Sequence, residues 1–550
     1  MTSLSRSKDG YYGTLCNPPF NALSYTWGRF ALEKGLALDV SGISWQIPRI
    51  APNHFTVTGF QNVLKKAAAP NGLVWVDIAC IDQENLDVKM DEIGKQCDIF
   101  RLAGEVYIWL TSLESEFCRD SMVALEHFAD HLERMELAEN TSEYKAVDFL
   151  EQILGDTASV RCKLGSIFRD PWFSSLWTLQ EACLCEHAIL LTESGHTVPK
   201  PYRLAHRLKS PPLLEHLISD CQTIKTSLLP YAEYSEEIKD LLLIVDRSGL
   251  SFINPGMNAS AGSLLLYSAA RYRTTTNPLD RIYGIMQAFE FSLGTSKEPG
   301  KHFTLPELED QLGEALNSLS PMTAQMHVHT TPPVLGSAWR PSNSSWLPDV
   351  YYMAHSVGSM STIARDVGKR PVYTGKICPL SKLHSFWNEA TAYGEQLFAT
   401  LGPKWQHYPV NIHLDATMQG PQEPPHNVRQ VQSVRQPPSS CPCKSCTERP
   451  RRQNDGLLRF MNAMPMPETE YEVLLLGLCT LTRWTRPTTE GFKGGSSYTV
   501  AARAGLLVVK EPSLGNAVWR RVGIASWEAG YGELKAVHEA LWDPCQCYLA

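Results

Sequence analysis

No G-x-G-x-x-G, G-x-x-x-x-G-K-[ST], H-E-x-x-H or G-x-S-x-G stretch occurs in this chain. Rossmann cofactor binding, P-loop hydrolysis, zincin chemistry and α/β-hydrolase catalysis thereby lose their usual supports. Long apolar runs are missing too. The longest strongly apolar stretch outside the N-terminal region, "VLLLGLCTL" at 473–481, is far too short to span a bilayer, so no membrane span is expected. The opening MTSLSRSKDGYYG has no apolar segment of the secretory kind. Positive charge is not in excess: the net charge is −8, spread along the chain without blocks. A nucleic-acid partner would need a basic stripe, and none is present. There is no internal repeat and no CxxC…CxxC pair.

What is present fits a globular chain. Its 550 residues suggest two to four domains, and 43% apolar with 9% aromatic content is enough for real cores. The 15 cysteines are irregularly spaced, and several, such as Cys80 and Cys183, sit inside apolar runs. In a large chain without a signal they read as reduced thiols, so a cytoplasmic location is expected. Cys441, Cys443 and Cys446 have ligand-like spacing, and Cys545 and Cys547 could add two thiolates. Zinc needs a closed four-ligand shell, and the surroundings read as disordered, so no metal is expected.

The first 198 residues alternate strand-like and helix-like patterns. "NALSYTWG" (21–28), "LVWVDIACI" (73–81), "EVYIWL" (105–110) and "HAILLTES" (187–194) read as strands. The second is nearly continuously apolar, as strands buried on both faces are. Residues 54–69, 87–103 and 121–137 read as helices, the last with Met122, Leu125, Phe128, Leu132 and Met135 on one side. This alternation predicts a doubly wound parallel α/β domain over 1–198. Residues 199–330 are mainly helical in pattern. Residues 331–456 read as an irregular, Pro/Gln-rich insert or linker, with 419–456 as its best candidate for disorder, and 457–550 as a small β-rich region. The short basic run "RPRRQ" (449–453) reads as solvated linker.

"DPWFSSLWTLQEACL" (170–184) holds the most informative polar pair. Asp170 before Pro171 predicts a helix start, a capping carboxylate followed by proline at the first helical position. At about 100° per residue, Phe173, Leu176, Trp177, Cys183, Leu184 and His187 form one stripe. Gln180 falls in its middle and Glu181 at its edge beside Trp177. Ser174, Ser175, Thr178 and Glu186 take the opposite face. The pair is therefore off the wet side. Spacing alone leaves two readings for Glu181. Either it caps a buried backbone group or pairs with an arginine such as Arg169, or it has a raised pKa at a functional site. Glu92 and Gln96 share a helix face and read equally as a brace or as a solvated pair. Asp77, inside an apolar strand, reads as a structural carboxylate that needs a partner.

Four stretches in order, "ALSYTWG" (22–28), "LVWVDIACIDQEN" (73–85), "MDEIGKQCDIFRLAGEVYIWL" (90–110) and "FRDPWFSSLWTLQEACL" (168–184), resemble the fungal heterokaryon incompatibility (HET) domain. "ARYRTTTNPLDRIYGIMQAF" (270–289) and "SSWLPDV" (344–350) are similar to segments that follow it. The chain departs from the family with Asp82-Gln83 where Asn-Gln is usual, and with Gly94 and Gly104 weakening the helix that carries Glu92 and Gln96. The HET domain looks like a remote relative of TIR domains. That resemblance implies a flavodoxin-like, TIR-like N-terminal domain.

The same resemblance implies roles for residues. Trp177-x-x-x-Glu181 is similar to the W-x-x-x-E helix of TIR domains that cleave NAD+, so Glu181 is the implied catalytic carboxylate. Ser24, Tyr25 and Trp27 end the first strand and are implied pocket residues, with Asp82 and Gln83 on the same rim and Trp177 beside the glutamate. The carboxyl ends of parallel strands are where open α/β sheets bind ligands. Function in fungal non-self recognition and programmed cell death is implied, the N-terminal domain being the effector and NAD+ a substrate rather than a cofactor. Cleaving the nicotinamide–ribose bond develops oxocarbenium character that a carboxylate can stabilise. The alternatives are a non-catalytic module that signals by self-association and an inert paralogue. The triggering protein partner is not legible in the sequence.

Overall fold

The computed structural model describes residues 11–12, 15–32, 46–139, 146–198, 214–253, 263–348, 351, 355–365, 369–401, 410–416, 471–484, 497–514, 517–528 and 533–550. The chain divides into two compact units, one built mainly from residues 1–259 and 265–308, the other mainly from 309–483 and 497–550.

The first unit carries a four-stranded, wholly parallel sheet. Its strands are β1 (Asn21–Ser24), β2 (Val74–Trp75), β3 (Val106–Trp109) and β4 (Ile189–Leu191), in the order β2-β1-β3-β4. Every residue of β1, β3 and β4 is buried, which is why the apolar runs of β3 and β4 show no alternation. Helix α1 (Val57–Ala67) starts at Thr56, whose hydroxyl accepts from Gly59 N, and buries Val63, Leu64 and Ala67. These side chains pack with Leu23, Tyr107, Trp109 and Leu191 from the sheet.

Two expected elements come out differently. The predicted strand over 73–81 stops at Trp75, and the chain turns into a short helix, α2 (Asp77–Cys80). Asp77 drives the change. Its carboxylate accepts from Ile78 N at 2.7 Å and from the Trp27 indole at 2.6 Å, so it sits at a turn and not in a ladder. The single helix expected over 87–103 is two, α3 (Leu86–Ile93) and α4 (Gln96–Leu102). The break falls at Gly94, where a Cβ would collide with the Ser296 hydroxyl. Helix α5 (Ser115–Glu139) is longer than its apolar stripe suggested, and α6 (Ala146–Ile167) had no sequence reading. After β4 come α7 (Leu214–Leu228), α8 (Glu236–Ser248) and α9 (Asp280–Met286). The segment Leu176–Leu184 between α6 and β4 is a helix treated with the site below.

The second unit is β-rich. Strands β5 (His355–Ser359), β6 (Thr362–Ala364), β7 (Val372–Pro379), β8 (Asn411–Leu414), β9 (Tyr471–Trp484), β10 (Ser497–Lys510), β11 (Val518–Glu528) and β12 (Asp543–Leu549) form one sheet. The path β7-β12-β11-β10-β9 closes through pairing of β7 with β9, making a five-stranded barrel. The neighbours β11 and β12 run parallel. Cys378, Phe386, Trp387, Val473, Leu507 and Trp527 fill its core. Buried Arg521 donates from Nε to Asp415 Oδ2 at 3.1 Å and from Nη1 to Gln325 Oε1 at 3.0 Å. The described part of residues 331–456, read as irregular, thus contributes four strands to this sheet and the helix Leu380–Leu401. Their signal is weak because β7 buries only Tyr373 and Cys378 fully. The stretch 419–456, with Cys441, Cys443 and Cys446, lies outside the described residues. Among the described residues no helix is long and apolar enough to cross a membrane.

Candidate functional site

The polar pair at 180–181 is carried by a helix that starts later than its capping signal suggests. Asp170 does cap, accepting from Trp172 N at 2.9 Å, but the turn it caps is a 3-10 turn, Pro171–Ser174. Ser175 is extended, and the α-helix runs over Leu176–Leu184. A residue far along the chain explains the interruption. Thr274 N donates to Ser174 O at 2.7 Å and Leu176 N donates to Thr274 O at 3.1 Å, a two-bond ladder that holds the chain out of helical form. The expected stripe is corrected accordingly. Trp172 and Phe173 lie off the helix. Thr178, assigned to the wet face, is buried with its hydroxyl donating to Ser175 O at 3.0 Å. His187, assigned to the stripe, is exposed.

Gln180 is wholly buried and fully engaged. Its amide donates to Gln96 Oε1 at 2.8 Å, and its carbonyl accepts from Gln287 N at 2.9 Å. Gln96 is therefore a brace between α4 and this helix. Glu92 pairs with Lys95 at 2.9 Å on a half-exposed surface.

Glu181 is 7% exposed. Ser24, the last residue of β1, donates its hydroxyl hydrogen to Glu181 Oε2. The same Ser24 oxygen accepts from the Trp172 indole N–H at 2.7 Å. Among the described residues no arginine pairs with Glu181. Burial pushes its carboxyl from 4.5 up to about 8. The Ser24 hydrogen bond opposes that rise and the Asp77 charge adds to it. At neutral pH the free site therefore holds a largely protonated carboxyl at the carboxyl end of the sheet. Strand order reverses direction between β1 and β3, where open α/β sheets form their ligand crevice.

The other expected residues divide. Trp27 is partly exposed and its indole is pinned by Asp77. Burial holds the Asp77 carboxyl above its ordinary value, with these hydrogen bonds opposing the rise. Tyr25 points into an aromatic core, with ring centroids 5.4 Å from Phe60 and 6.3 Å from Trp109. Asp82 Oδ1 accepts from Glu84 N at 3.0 Å and Asn85 N at 3.2 Å, closing the turn into α3. Gln83 donates to Asp77 O at 3.2 Å and Ile81 O at 3.1 Å. Trp177 donates to Asp280 Oδ2 at 3.2 Å, away from the Ser24–Glu181 pair. The structure thus brings together Ser24, Glu181 and Trp172, with the Trp27–Asp77 pair close enough for the Asp77 charge to act on Glu181 and for both carboxyls to act on Tyr25. It spends Asp82, Gln83 and Trp177 on internal bonds.

Three residues nearby carried no functional sequence signal. Trp172 was given no role from the sequence. His54 is stacked on Phe30 with centroids 3.6 Å apart, and its Nε2 sits 2.7 Å from Thr26 O. Burial, opposed by that hydrogen bond and aided by Arg29, lowers its pKa and keeps the ring neutral. Arg29 donates to Thr274 Oγ1 at 2.9 Å and to Pro171 O at 2.8 Å. Each depends on partners distant in sequence. Among the described residues no group of three or more His, Cys, Asp or Glu is placed to hold a metal.

Comparison with known proteins gives a family match for the N-terminal residues. Residues 20–181 match the family described as heterokaryon incompatibility protein (HET), so the chain carries a HET domain whose matched residues hold strands β1 to β3 and the Ser24–Glu181 pair, with β4 just beyond them. Over 194 residues the chain is 27% identical to heterokaryon incompatibility protein 6, OR allele, of Neurospora crassa. That span covers 31% of this chain and 28% of the relative, so the chain matches well under a third of the relative's length. No solved structure matches the chain.

Proposed function

We propose that this chain is a heterokaryon incompatibility protein of fungal non-self recognition whose N-terminal domain is a cell-death effector that cleaves NAD+ through Glu181. The observation that carries this reading is the buried carboxyl of Glu181, held by Ser24 at the carboxyl end of β1. The strand order β2-β1-β3-β4 agrees with a flavodoxin-like, TIR-like domain. The cationic nicotinamide of NAD+ is a neutral leaving group once its bond to ribose breaks, taking the electron pair with it, so no general acid is needed. An anionic Glu181 offsets the charge growing on the ribose, and water then adds to that carbon and loses a proton. A cationic substrate beside Glu181 draws its pKa down and so charges the group it needs. Ser24 orients the carboxylate, and the pinned Trp27 offers an indole face for a flat ring.

Full-length wild type and Glu181→Gln should be expressed in a fungal host at equal, folded levels, with NAD+ and viability followed together. Loss of NAD+ and of viability in wild type alone supports the reading. Equal NAD+ in both removes the catalytic role.

A second reading has its own support, the engagement of Trp177, Asp82 and Gln83 in internal bonds. In it the domain signals by self-association and Glu181 is structural. Death that persists in Glu181→Gln with NAD+ unchanged selects this alternative.

A further inference from the structure

Arg273 lies outside the residues matched by the family model, yet it reaches the site. It is 1% exposed and has no carboxylate partner among the described residues. Its guanidinium is spent on carbonyls and on the Thr178 hydroxyl, whose oxygen accepts from Nη1 at 3.4 Å. Nη1 donates to Trp172 O at 2.8 Å and Ser175 O at 3.2 Å, and Nη2 donates to Ser248 O at the end of α8. Nε finds no partner. Burying an unpaired cation is expensive, and only a fork of donors can meet several carbonyls at once. The path to these carbonyls also needs Gly249, whose φ of 75° ends α8. A Cβ there would stand 3.3 Å from Arg273 Nε and 3.1 Å from Leu179 Cδ1.

The bonds run on without a gap. Trp172, clamped at its carbonyl by Arg273 and at its N–H by Asp170, aims its indole N–H at Ser24, and Ser24 donates to Glu181. The next residue, Thr274, forms the ladder that delays the helix and keeps Trp172 off it. We infer that Arg273 is a positioning residue for the Ser24–Glu181 pair, so that the effector site is completed by the segment after the HET-matched residues. The inference takes its functional meaning from the reading of Glu181 as the reacting carboxyl, but its geometry stands apart from it.

The test reads Glu181 itself, in the full chain and without substrate. Side-chain 13C NMR of labelled glutamate, assigned by Glu181→Gln, gives its titration midpoint. The groups that bear on this midpoint are Ser24 and Asp77, and Tyr25 and Cys185 feel Glu181 in turn. The charge of Arg273 is not among its causes. Arg273 also reaches the helix of Glu181 itself through Ser175 O and Thr178 Oγ1, so the Trp172→Phe background below separates a shift carried by Trp172 and Ser24 from one carried by that helix. Arg273→Lys keeps the charge and loses the fork. The expected result is an upward shift of about one unit, because Ser24 no longer steadies the anion. In a Trp172→Phe background, which already lacks the indole N–H, Arg273→Lys should add nothing. A folded Arg273→Lys with an unmoved midpoint overturns the inference, and so does an equal shift in both backgrounds. If Arg273→Lys does not fold, Gly249→Ala, which crowds the same guanidinium, takes its place in the cycle with the same two outcomes. An absence of NAD+ cleavage leaves all these measurements intact, so the two claims fail separately.

Discussion

Ser24 and Glu181, 157 positions apart in the chain, meet in one hydrogen bond in which the serine hydroxyl donates to Glu181 Oε2. That bond joins the end of the first strand to the last helix of the HET-matched segment, so the domain closes on its own candidate site.

Stability should fall as pH rises because of Glu181. Its ordinary value is 4.5 and its folded value about 8. Between these the folded chain keeps a proton that the unfolded chain has released, so stability is full below the lower value and is lost as pH rises to the upper one. Glu181→Gln removes this dependence. The variant should gain on wild type between acid and mildly alkaline pH by roughly a few kcal/mol. Thermal unfolding of both chains across that range checks it, and parallel curves would reject the raised value.

If Glu181 reacts as an anion, kcat/KM for NAD+ should climb with pH and level off above about 8, since that parameter reports the free protein. A flat profile through this range, in an active protein, would exclude Glu181 as the titrating group.

Ser24→Ala leaves both the Trp172 indole and Glu181 Oε2 without their partner. The expected loss is about 1–3 kcal/mol at neutral pH, together with a further rise in the Glu181 midpoint. Chemical denaturation and the glutamate titration measure the two effects independently.

Gln180→Leu keeps the volume but strands the Gln96 carbonyl and the Gln287 N–H, both buried. Destabilisation of roughly 2–4 kcal/mol is expected. Hydrogen exchange should show it as faster opening of α4 and α9, and an unchanged exchange pattern would refute the brace.

In the second unit, Asp415→Ala uncovers the fully buried Arg521. Breaking one side of such a pair costs about 3–5 kcal/mol. Limited proteolysis should detect early cleavage in the barrel strands with the first unit still protected.

Much of the first unit was legible in the chain. The strand β3 announces itself as an apolar run because both its faces are covered, and β1 was legible from the strand-like pattern that ends in the glycine turn at Gly28. The position of Gln180 and Glu181 away from water followed from helical spacing. The split of 87–103 at Gly94 was foreshadowed by the glycine, although the need for a glycine there comes from Ser296, which lies far along the chain. The barrel was legible only in its last strands. Its first strands and the helix Leu380–Leu401 come from a stretch whose turns and polar residues mask a pattern with few buried positions.

Local sequence determined which residues are apolar, how they repeat and where a carboxylate falls on a helix, because these depend on neighbours within a turn or two. It also carried the motifs that mark a HET domain. Tertiary structure alone decided what Glu181 touches. Ser24 arrives from the end of β1, Trp172 is freed from the helix by Thr274, and Arg273 holds Trp172 from beyond the matched residues. The raised pKa follows from the same cause. Burial removes water from a carboxyl, and burial is a property of the whole packed unit rather than of any stretch of the chain.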